Sequence, residues 1–275
     1  MRMSSPPGLL ALPAAAYLVS GVLYLWRVLR RSPTAGTWGA IAALVGALIH
    51  AGLLVMRFAE DPRAVAAGVA DAASAISFVV VVCFLIGERL LGISAMGAAA
   101  MPLAFGGLLA TLASPMGARE IPEQLRNPWF FIHVPSALLA YVAFAFAFGA
   151  AALYLGEARL LRSKRIAAVL GTLPPLDQLE HLMYRTAAFG FLLMTVGIGT
   201  GAVWAEEAWH RYWQWTPKQS ASLVTWLLFA TYLHNRVIRG SRARSGAWII
   251  IIGFLSCLIT FLAVGLLRQD PHRFL

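Results

Sequence analysis

Eight long apolar runs, separated by short polar stretches, dominate the pattern of the chain. A transmembrane helix needs about 20 mostly apolar residues, and eight segments reach or approach this length. The third is the least uniform, because Asp71 and several small residues dilute its start. The pattern predicts an all-α, polytopic membrane protein with about eight transmembrane helices, at residues 8–26, 37–57, 68–87, 92–113, 129–156, 184–204, 220–237 and 246–267.

The composition supports a membrane protein and argues against a nucleic-acid-binding one. Of the 275 residues, 60% are hydrophobic and 12% are charged, whereas a soluble domain has about 25% charged residues. The formal net charge is +10, but the basic side chains lie in short loops between apolar runs, where they orient helices. We therefore expect membrane lipid as the surroundings and no nucleic acid as a partner. Cys83 and Cys257 lie alone in apolar segments and should pack as small hydrophobic residues.

Lys and Arg also predict the orientation of the chain in the membrane. The first, third, fifth and seventh loops carry 13 of them, and the opposite side carries nine. Loops rich in Lys and Arg stay in the cytoplasm, which puts both termini and residues 204–219 on the external, periplasm-like side of the membrane. The N-terminal run resembles a signal peptide, but it continues to Trp26 without a convincing cleavage site, so we expect a retained first helix.

Residues 204–219, with the sequence W-A-E-E-A-W-H-R-Y-W-Q-W-T-P-K-Q, hold four of the nine tryptophans of the chain: Trp204, Trp209, Trp213 and Trp215. An indole combines a large apolar face with a single N–H, so several indoles together could hold a flat aromatic ligand. Tryptophan also collects at membrane–water interfaces without any ligand. The density of tryptophan alone leaves both interpretations open. Because the segment lies between two apolar runs, we predict a short loop at the membrane surface.

Three of the six histidines lie at the predicted level of this loop. His133 is at the outer end of the fifth span, His272 is in the tail after the eighth, and His210 is within the loop. A haem group needs axial nitrogen ligands for its iron and apolar contacts for its ring. The sequence therefore makes these three histidines candidate haem contacts, together with the four tryptophans.

Two further histidines, His50 and His234, lie inside the second and seventh spans. An ionisable residue inside a membrane is costly and is a functional hypothesis by default, although a hydrogen bond between helices would also explain it. His50 is predicted about two-thirds of the way to the outer face and His234 near the inner face. Their heights do not match, which argues against one iron shared by both. His181, in the fifth loop, is predicted to be solvated.

The sixth span carries a face of small residues. Gly197 and Gly201 have the small-xxx-small spacing that lets a neighbouring helix approach closely. Close helix packing is sufficient to explain this spacing, although glycine also frees the backbone just before the Trp-rich segment.

The stretch G-A-V-W-A-E-E-A-W-H-R-Y-W-Q-W-T-P-K-Q, followed by L-V-T-W-L-L-F-A-T-Y-L-H-N-R, resembles the WWD-motif cytochrome c assembly family. That family includes CcsA/ResC and HemX-like proteins and, more distantly, CcmC and CcmF. The spacing W-x3-W-x-W-x-P-K carries the resemblance, which is strong over residues 129–275. It implies a single integral membrane domain over residues 1–275, with a divergent four-helix half at 1–128 and an assembly core at 129–275 that includes the external loop 204–219.

The resemblance implies haem b as the cofactor, held on the external Trp-rich loop between two external histidines. His133 and His272 would be the axial ligands, and His234, in Y-L-H-N-R, matches the family's transmembrane histidine. The implied function is a haem-binding membrane protein of cytochrome c maturation, which presents haem to apocytochrome c. It would act in a cytochrome c synthase (haem lyase) with a second membrane subunit of the CcsB/ResB type. The residues expected to contact the cofactor are His133, His272, Trp204, Trp209, Trp213, Trp215, His234, His50 and His210.

Two positions depart from the family pattern W-x-W-D-P-K-E, and a third departs just before it. Thr216 replaces the aspartate, Gln219 replaces the glutamate, and His210 stands where a glycine usually follows the preceding tryptophan. The loss of two acids favours an alternative, a HemX-like accessory protein that regulates haem biosynthesis through the level of glutamyl-tRNA reductase, without catalysis. A transporter of haem or another solute is a third hypothesis, but the sequence shows no pair of broken helices at matching positions.

Overall fold

A computed structural model describes residues 7–60, 69–113, 127–162, 174–238 and 243–267. These residues form eight long α-helices and no β-strand: α1 (Ala11–Arg30), α2 (Pro33–Glu60), α3 (Val69–Leu91), α4 (Gly97–Ala113), α5 (Phe130–Arg162), α6 (Leu176–Trp209), α7 (Pro217–Ile238) and α8 (Ala243–Leu267). Seven of them are long and apolar enough to cross a membrane. The exception is α7, which is about 33 Å long at 1.5 Å per residue but more polar. The prediction of an all-α membrane protein is confirmed.

The chain packs as two compact units. The N-terminal unit comprises Met1–Ile121 with Ala152–Leu182, and the C-terminal unit comprises Pro122–Ala151 with Met183–Leu275. The last third of α5 and the first turns of α6 belong to the N-terminal unit, and both helices are much longer than the roughly 20 residues that a membrane span requires.

The turn between α1 and α2 shows why two helices can follow each other so closely. Arg31 adopts a left-handed backbone conformation (φ 55°) after the last residue of α1. Ser32 Oγ then accepts a hydrogen bond from the Ala35 amide (3.3 Å), and Pro33 is the first residue of α2. Serine before a helix and proline at its first position are favoured helix-start signals, so the polar pair R-S is sufficient to reverse the chain.

Polar side chains connect the helices of the N-terminal unit. Tyr17 and Tyr24 of α1 are fully buried, and the Tyr24 hydroxyl donates a hydrogen bond to the carboxylate of Glu88 on α3. Arg57 of α2 forms an ion pair with Asp71 of α3. A lone carboxylate in a membrane span is costly, so the arginine explains how α3 accommodates the aspartate that dilutes the start of the third span.

The core of the C-terminal unit is aromatic. The rings of Phe144 (α5) and Phe229 (α7) stack at 3.6 Å with an angle of 9°, and Phe148 (α5) stacks on Phe254 (α8) at 4.8 Å. On α6, a Cβ atom at Gly190 would lie 2.6 Å from the Phe144 ring, so only glycine lets α5 and α6 approach this closely. This packing fixes the first half of α5 against α6, where the candidate site lies. The cysteine of α8, Cys257, is buried in this unit as predicted.

Candidate haem-binding site

The Trp-rich segment is mostly helical, and its loop is shorter than predicted. Helix α6 continues through Trp209, and α7 begins at Pro217, which leaves only residues 210–216 between the helices. Alanine and glutamate have high helix propensity, so A-E-E-A extends α6 beyond the apolar run. Trp204 and Trp209 therefore project from the last turns of α6, whereas Trp213 and Trp215 lie in the loop.

The imidazole of His133 is held in one orientation by α6. Its Nδ1 atom lies 2.7 Å from the carbonyl oxygen of Gly197. A carbonyl oxygen can only accept a hydrogen bond, so Nδ1 carries the proton and Nε2 keeps its lone pair. None of the described residues forms a hydrogen bond with Nε2. An N–H donated to a backbone carbonyl is the usual way in which proteins fix the tautomer and orientation of a metal-binding histidine.

The face of small residues on α6 holds this imidazole. A Cβ atom at Gly201 would lie 2.7 Å from His133 Nδ1 and 2.8 Å from its Cε1, which is closer than real side-chain carbons approach. At Gly197 the nearest neighbours of such an atom would be Ser136 Oγ and the Ala137 amide, at 3.5 and 3.6 Å. The small-xxx-small spacing does allow close helix packing, as predicted. In addition, it provides the space for the His133 ring, which the sequence did not indicate.

The four tryptophans form two pairs of inclined rings and not one flat surface. Trp204 packs beside His133 (ring centres 5.6 Å apart) and beside Trp209 (6.5 Å, 39°). Trp213 and Trp215 meet edge to face (5.7 Å, 81°), an arrangement favoured by the charge distribution of aromatic rings. Trp209 and Trp215 remain 52% and 71% exposed. These two indoles offer the apolar surface that a ligand could cover.

The indole N–H of Trp213 is a buried donor without an acceptor in the described part of the chain. A buried indole N–H normally has a hydrogen-bond partner. A ligand oxygen at this position would supply one.

His50 forms hydrogen bonds between helices, which can explain a histidine inside a span without a role in binding a ligand. It is fully buried in the N-terminal unit. Its Nδ1 lies 3.2 Å from the Tyr17 hydroxyl on α1, and its Nε2 lies 2.9 Å from Ser74 Oγ on α3. Both ring nitrogens are therefore used, and His50 would have to release one of these bonds to bind iron.

The other histidines are more accessible. His181 is exposed, as predicted, and its Nδ1 donates to the Asp177 carbonyl (2.7 Å). His234 is exposed on α7. His210 is exposed with φ 54°, and its amide donates to the Glu206 carbonyl (2.7 Å) at the end of α6. Glycine is the favoured residue at this left-handed position after a helix, which explains the glycine of the family pattern. His272 lies outside the described residues.

The two residues that replace acids of the motif form the start of α7. Thr216 Oγ1 accepts a hydrogen bond from the Gln219 amide (3.3 Å), and Gln219 Oε1 accepts one from the Gln214 amide (2.9 Å). Threonine before the helix, proline at its first position and glutamine at its third resemble a capping box, in which Thr and Gln serve as well as acids. The helix-capping role of these two positions is therefore kept without the negative charges.

We expect Thr216→Ala to lower the free energy of unfolding by about 1 kcal/mol, the usual cost of removing such a cap. Thr216→Asp should retain the stability, because an aspartate oxygen also accepts the Gln219 amide. Thr231→Ala is the matched control, since the exposed Thr231 hydroxyl bonds, among the described residues, only to the Leu227 carbonyl of its own helix. Thermal unfolding in detergent measures all three. Equal stability of the two alanine variants would show that Thr216 does not cap α7.

Comparison with known proteins identifies the family. The model of the family described as "Cytochrome C assembly protein" matches residues 38–272. The chain belongs to the cytochrome c assembly protein family. The resemblance drawn from the Trp-rich motif is thereby confirmed.

Relatives agree with this membership, and a solved structure shares the fold. The cytochrome c biogenesis protein CcsA of Parasynechococcus marenigrum (strain WH8102) is 31% identical over 97% of this chain and 92% of its own. The CcsA of Synechococcus sp. (strain RCC307) is 35% identical over 57% of each chain. The solved structure named "Cytochrome c Heme Lyase CcmF" matches 95% of this chain with a TM-score of 0.68 at 16% identity. The match spans only about half of the CcmF chain, 48%, and shows a shared fold.

Proposed function

We propose that this cytochrome c assembly protein binds haem b and holds it for attachment to apocytochrome c. The site would be formed by the start of α5, the end of α6 and residues 210–216. Family membership and the names of its relatives support a role in cytochrome c maturation. The observation that carries the proposal is His133, whose Nδ1 is fixed by a backbone carbonyl while Nε2, beside Trp204, has no hydrogen-bond partner among the described residues.

The residues present fit a haem group. His133 would supply one axial nitrogen, and His272 is our candidate for the second by resemblance to the family. The exposed indoles would cover the apolar ring, and the N–H of Trp213 would find an acceptor. The exposed side chains of Arg211 and Lys218 suit the negatively charged propionates. When bound, haem supplies the vinyl groups that form thioether bonds with apocytochrome cysteines, while the protein orients it.

The proposed site would face the outside of a bacterial inner membrane. The excess of Lys and Arg in the odd-numbered loops supports this orientation. His133, Trp209 and Thr216 lie at the start of α5, the end of α6 and the start of α7, which belong to one end of the C-terminal unit.

We further propose that α7 contacts a second membrane subunit, of the CcsB/ResB type. His234 continues an exposed stripe of α7 at helical spacing, with Val224, Leu227, Thr231 and Ile238. An imidazole exposed to lipid is costly, and none of the described residues forms a hydrogen bond with it. A partner helix or a cofactor shared with the partner would cover His234, and the complex would then be the cytochrome c synthase.

The hydrogen bonds at the start of α7 weaken one argument for the regulatory alternative. It was favoured because Thr216 and Gln219 replace two acids. Both residues keep hydrogen bonds that start α7, so the replacement does not indicate a degraded site. If the regulatory role were correct, deletion of the protein would change the amount of glutamyl-tRNA reductase and leave c-type cytochromes intact.

A haem titration tests the proposed function. The protein is purified in detergent from haem-replete cells, and haem is added to the remaining apoprotein while the Soret absorbance is followed. We expect saturable binding, a low-spin spectrum with two nitrogen ligands, and a pyridine haemochrome of the b type. If no haem co-purifies and added haem does not bind saturably, the proposed function is wrong.

A further inference from the structure

We infer that Glu207 is a positioning residue of the candidate haem site. Its carboxylate ties the turn before α5 to the end of α6, and this connection sets His133 against Trp204. The inference rests on the proposed function, because the role that it assigns to Glu207 is to position His133, the proposed haem ligand.

Two side chains from the turn before α5 donate to this carboxylate. Trp129 Nε1 donates to Glu207 Oε1 at 2.9 Å, and Asn127 Nδ2 donates to Glu207 Oε2 at 2.5 Å. The donors are 78 and 80 residues away in the sequence, so the contact connects two distant elements. Hydrogen bonds to a carboxylate are about twice as strong as those between neutral groups. Glu207 therefore forms a charge-assisted connection between α6 and the start of α5.

The same turn is directly connected to His133. Asn127 Oδ1 accepts a hydrogen bond from the Trp129 amide (2.9 Å), which makes the turn rigid. The Trp129 carbonyl then accepts the His133 amide (2.8 Å). A shift of Trp129 would consequently move the backbone that carries the proposed iron ligand.

On α6, Glu207 follows Trp204 by three residues, so both lie on the same side of the helix. Trp204 packs against Phe130 (ring centres 6.0 Å apart) and against His133 (5.6 Å). The imidazole is thus bounded by Gly201 and Trp204, while Glu207 holds the turn that precedes it. Orientation of this kind is what a metal ligand requires from the residues around it.

The position requires an acid and not merely a polar side chain. Both partners of Glu207 are N–H donors, and an ionised carboxylate offers only acceptors. A glutamine has the same shape but presents one N–H2 group, which would face one of the two donors. Glu207→Gln therefore removes one hydrogen bond and leaves two donors in contact.

Exchange of the donor and acceptor between the two positions tests this geometry. In the double variant Asn127→Asp, Glu207→Gln, the glutamine amide can donate to the carboxylate introduced at position 127, while the glutamine oxygen accepts Trp129 Nε1. We expect Glu207→Gln to weaken haem binding about tenfold, the effect of roughly one charged hydrogen bond. Asn127→Asp alone should be at least as harmful, because two carboxylates would meet. The double variant should recover most of the affinity, and Glu206→Gln, with no side-chain bond among the described residues, should match the unmodified protein.

Haem titration, electron paramagnetic resonance of the ferric complex and thermal unfolding of the apoprotein are compared for all five proteins. A positioning role predicts that Glu207→Gln changes the haem affinity and the g values, and that the double variant restores both. Lower thermal stability with unchanged haem affinity and g values would overturn the inference, and so would additive losses in the double variant. Absence of haem binding by the unmodified protein would instead overturn the proposed function itself, and the positioning role with it.

Discussion

Replacing His133 with alanine is expected to abolish the low-spin haem spectrum of the protein. The imidazole is the only candidate ligand in the described chain whose Nδ1 is fixed by a carbonyl while Nε2 is free beside the tryptophans. Loss of a residue that merely orients a metal ligand typically costs about 10–100-fold in affinity. Loss of the ligand itself should cost more, so His133→Ala should bind haem at least about 100-fold more weakly.

Two comparisons make this prediction specific. Free imidazole added to His133→Ala should restore the low-spin spectrum, because it can occupy the space left between Gly201 and Trp204. His210→Ala should retain the spectrum of the unmodified protein, since His210 is exposed and has no group that orients its ring among the described residues. An unchanged spectrum in His133→Ala, or its loss in His210→Ala, would show that the ligand assignment is wrong.

Gly201→Ala should weaken haem binding and Gly199→Ala should not, although both add one methyl group to the same helix. A Cβ atom at Gly199 has no neighbour within 4 Å, so this substitution should stabilise α6 by about 0.5–1 kcal/mol through its helix propensity. A Cβ atom at Gly201 would lie 2.7 Å from His133 Nδ1. The imidazole must then move, and its hydrogen bond to the Gly197 carbonyl is lost.

We expect Gly201→Ala to lower haem affinity by about tenfold or more, in the range found when the orientation of a metal ligand is disturbed. Gly199→Ala should leave the affinity unchanged. Haem titration and thermal unfolding of both variants measure these effects. Equal haem affinity of the two variants would mean that the His133 ring does not need the space at Gly201.

The helices could largely be predicted from the sequence, because each apolar run has about the length that a membrane span requires. The errors lie at the helix ends. Helix α6 extends from Leu176 to Trp209, so it begins eight residues before the predicted span 184–204 and ends five residues after it. Hydropathy marks where a helix enters the apolar layer, whereas helix propensity and capping determine where it stops.

Pairings between distant residues could not be predicted from one sequence. In the sequence, Asp71 is a charge that dilutes the third predicted span, and only the structure shows its partner Arg57. The face of small residues on α6 likewise gives no sign that His133 packs against it. His50 was open between a ligand and a hydrogen-bonding role, and only the positions of Tyr17 and Ser74 show that both of its nitrogens are used.

The capping residues are a different case, because the sequence does carry their signal. The order T-P-x-Q from Thr216 to Gln219 is a recognisable helix start. The family pattern has acids at these two positions, but Thr and Gln keep the hydrogen bonds that start the helix. Glu207 has no such local signal, because its partners Trp129 and Asn127 are 78 and 80 residues away in the sequence.

A crystal structure of the haem-loaded protein would test the central claim most directly. We predict haem density beside Trp204, Trp209 and Trp215, with the iron bonded to Nε2 of His133 and with Nδ1 still donating to the Gly197 carbonyl. Haem bonded to His50 or His234, with His133 left uncoordinated, would contradict the account.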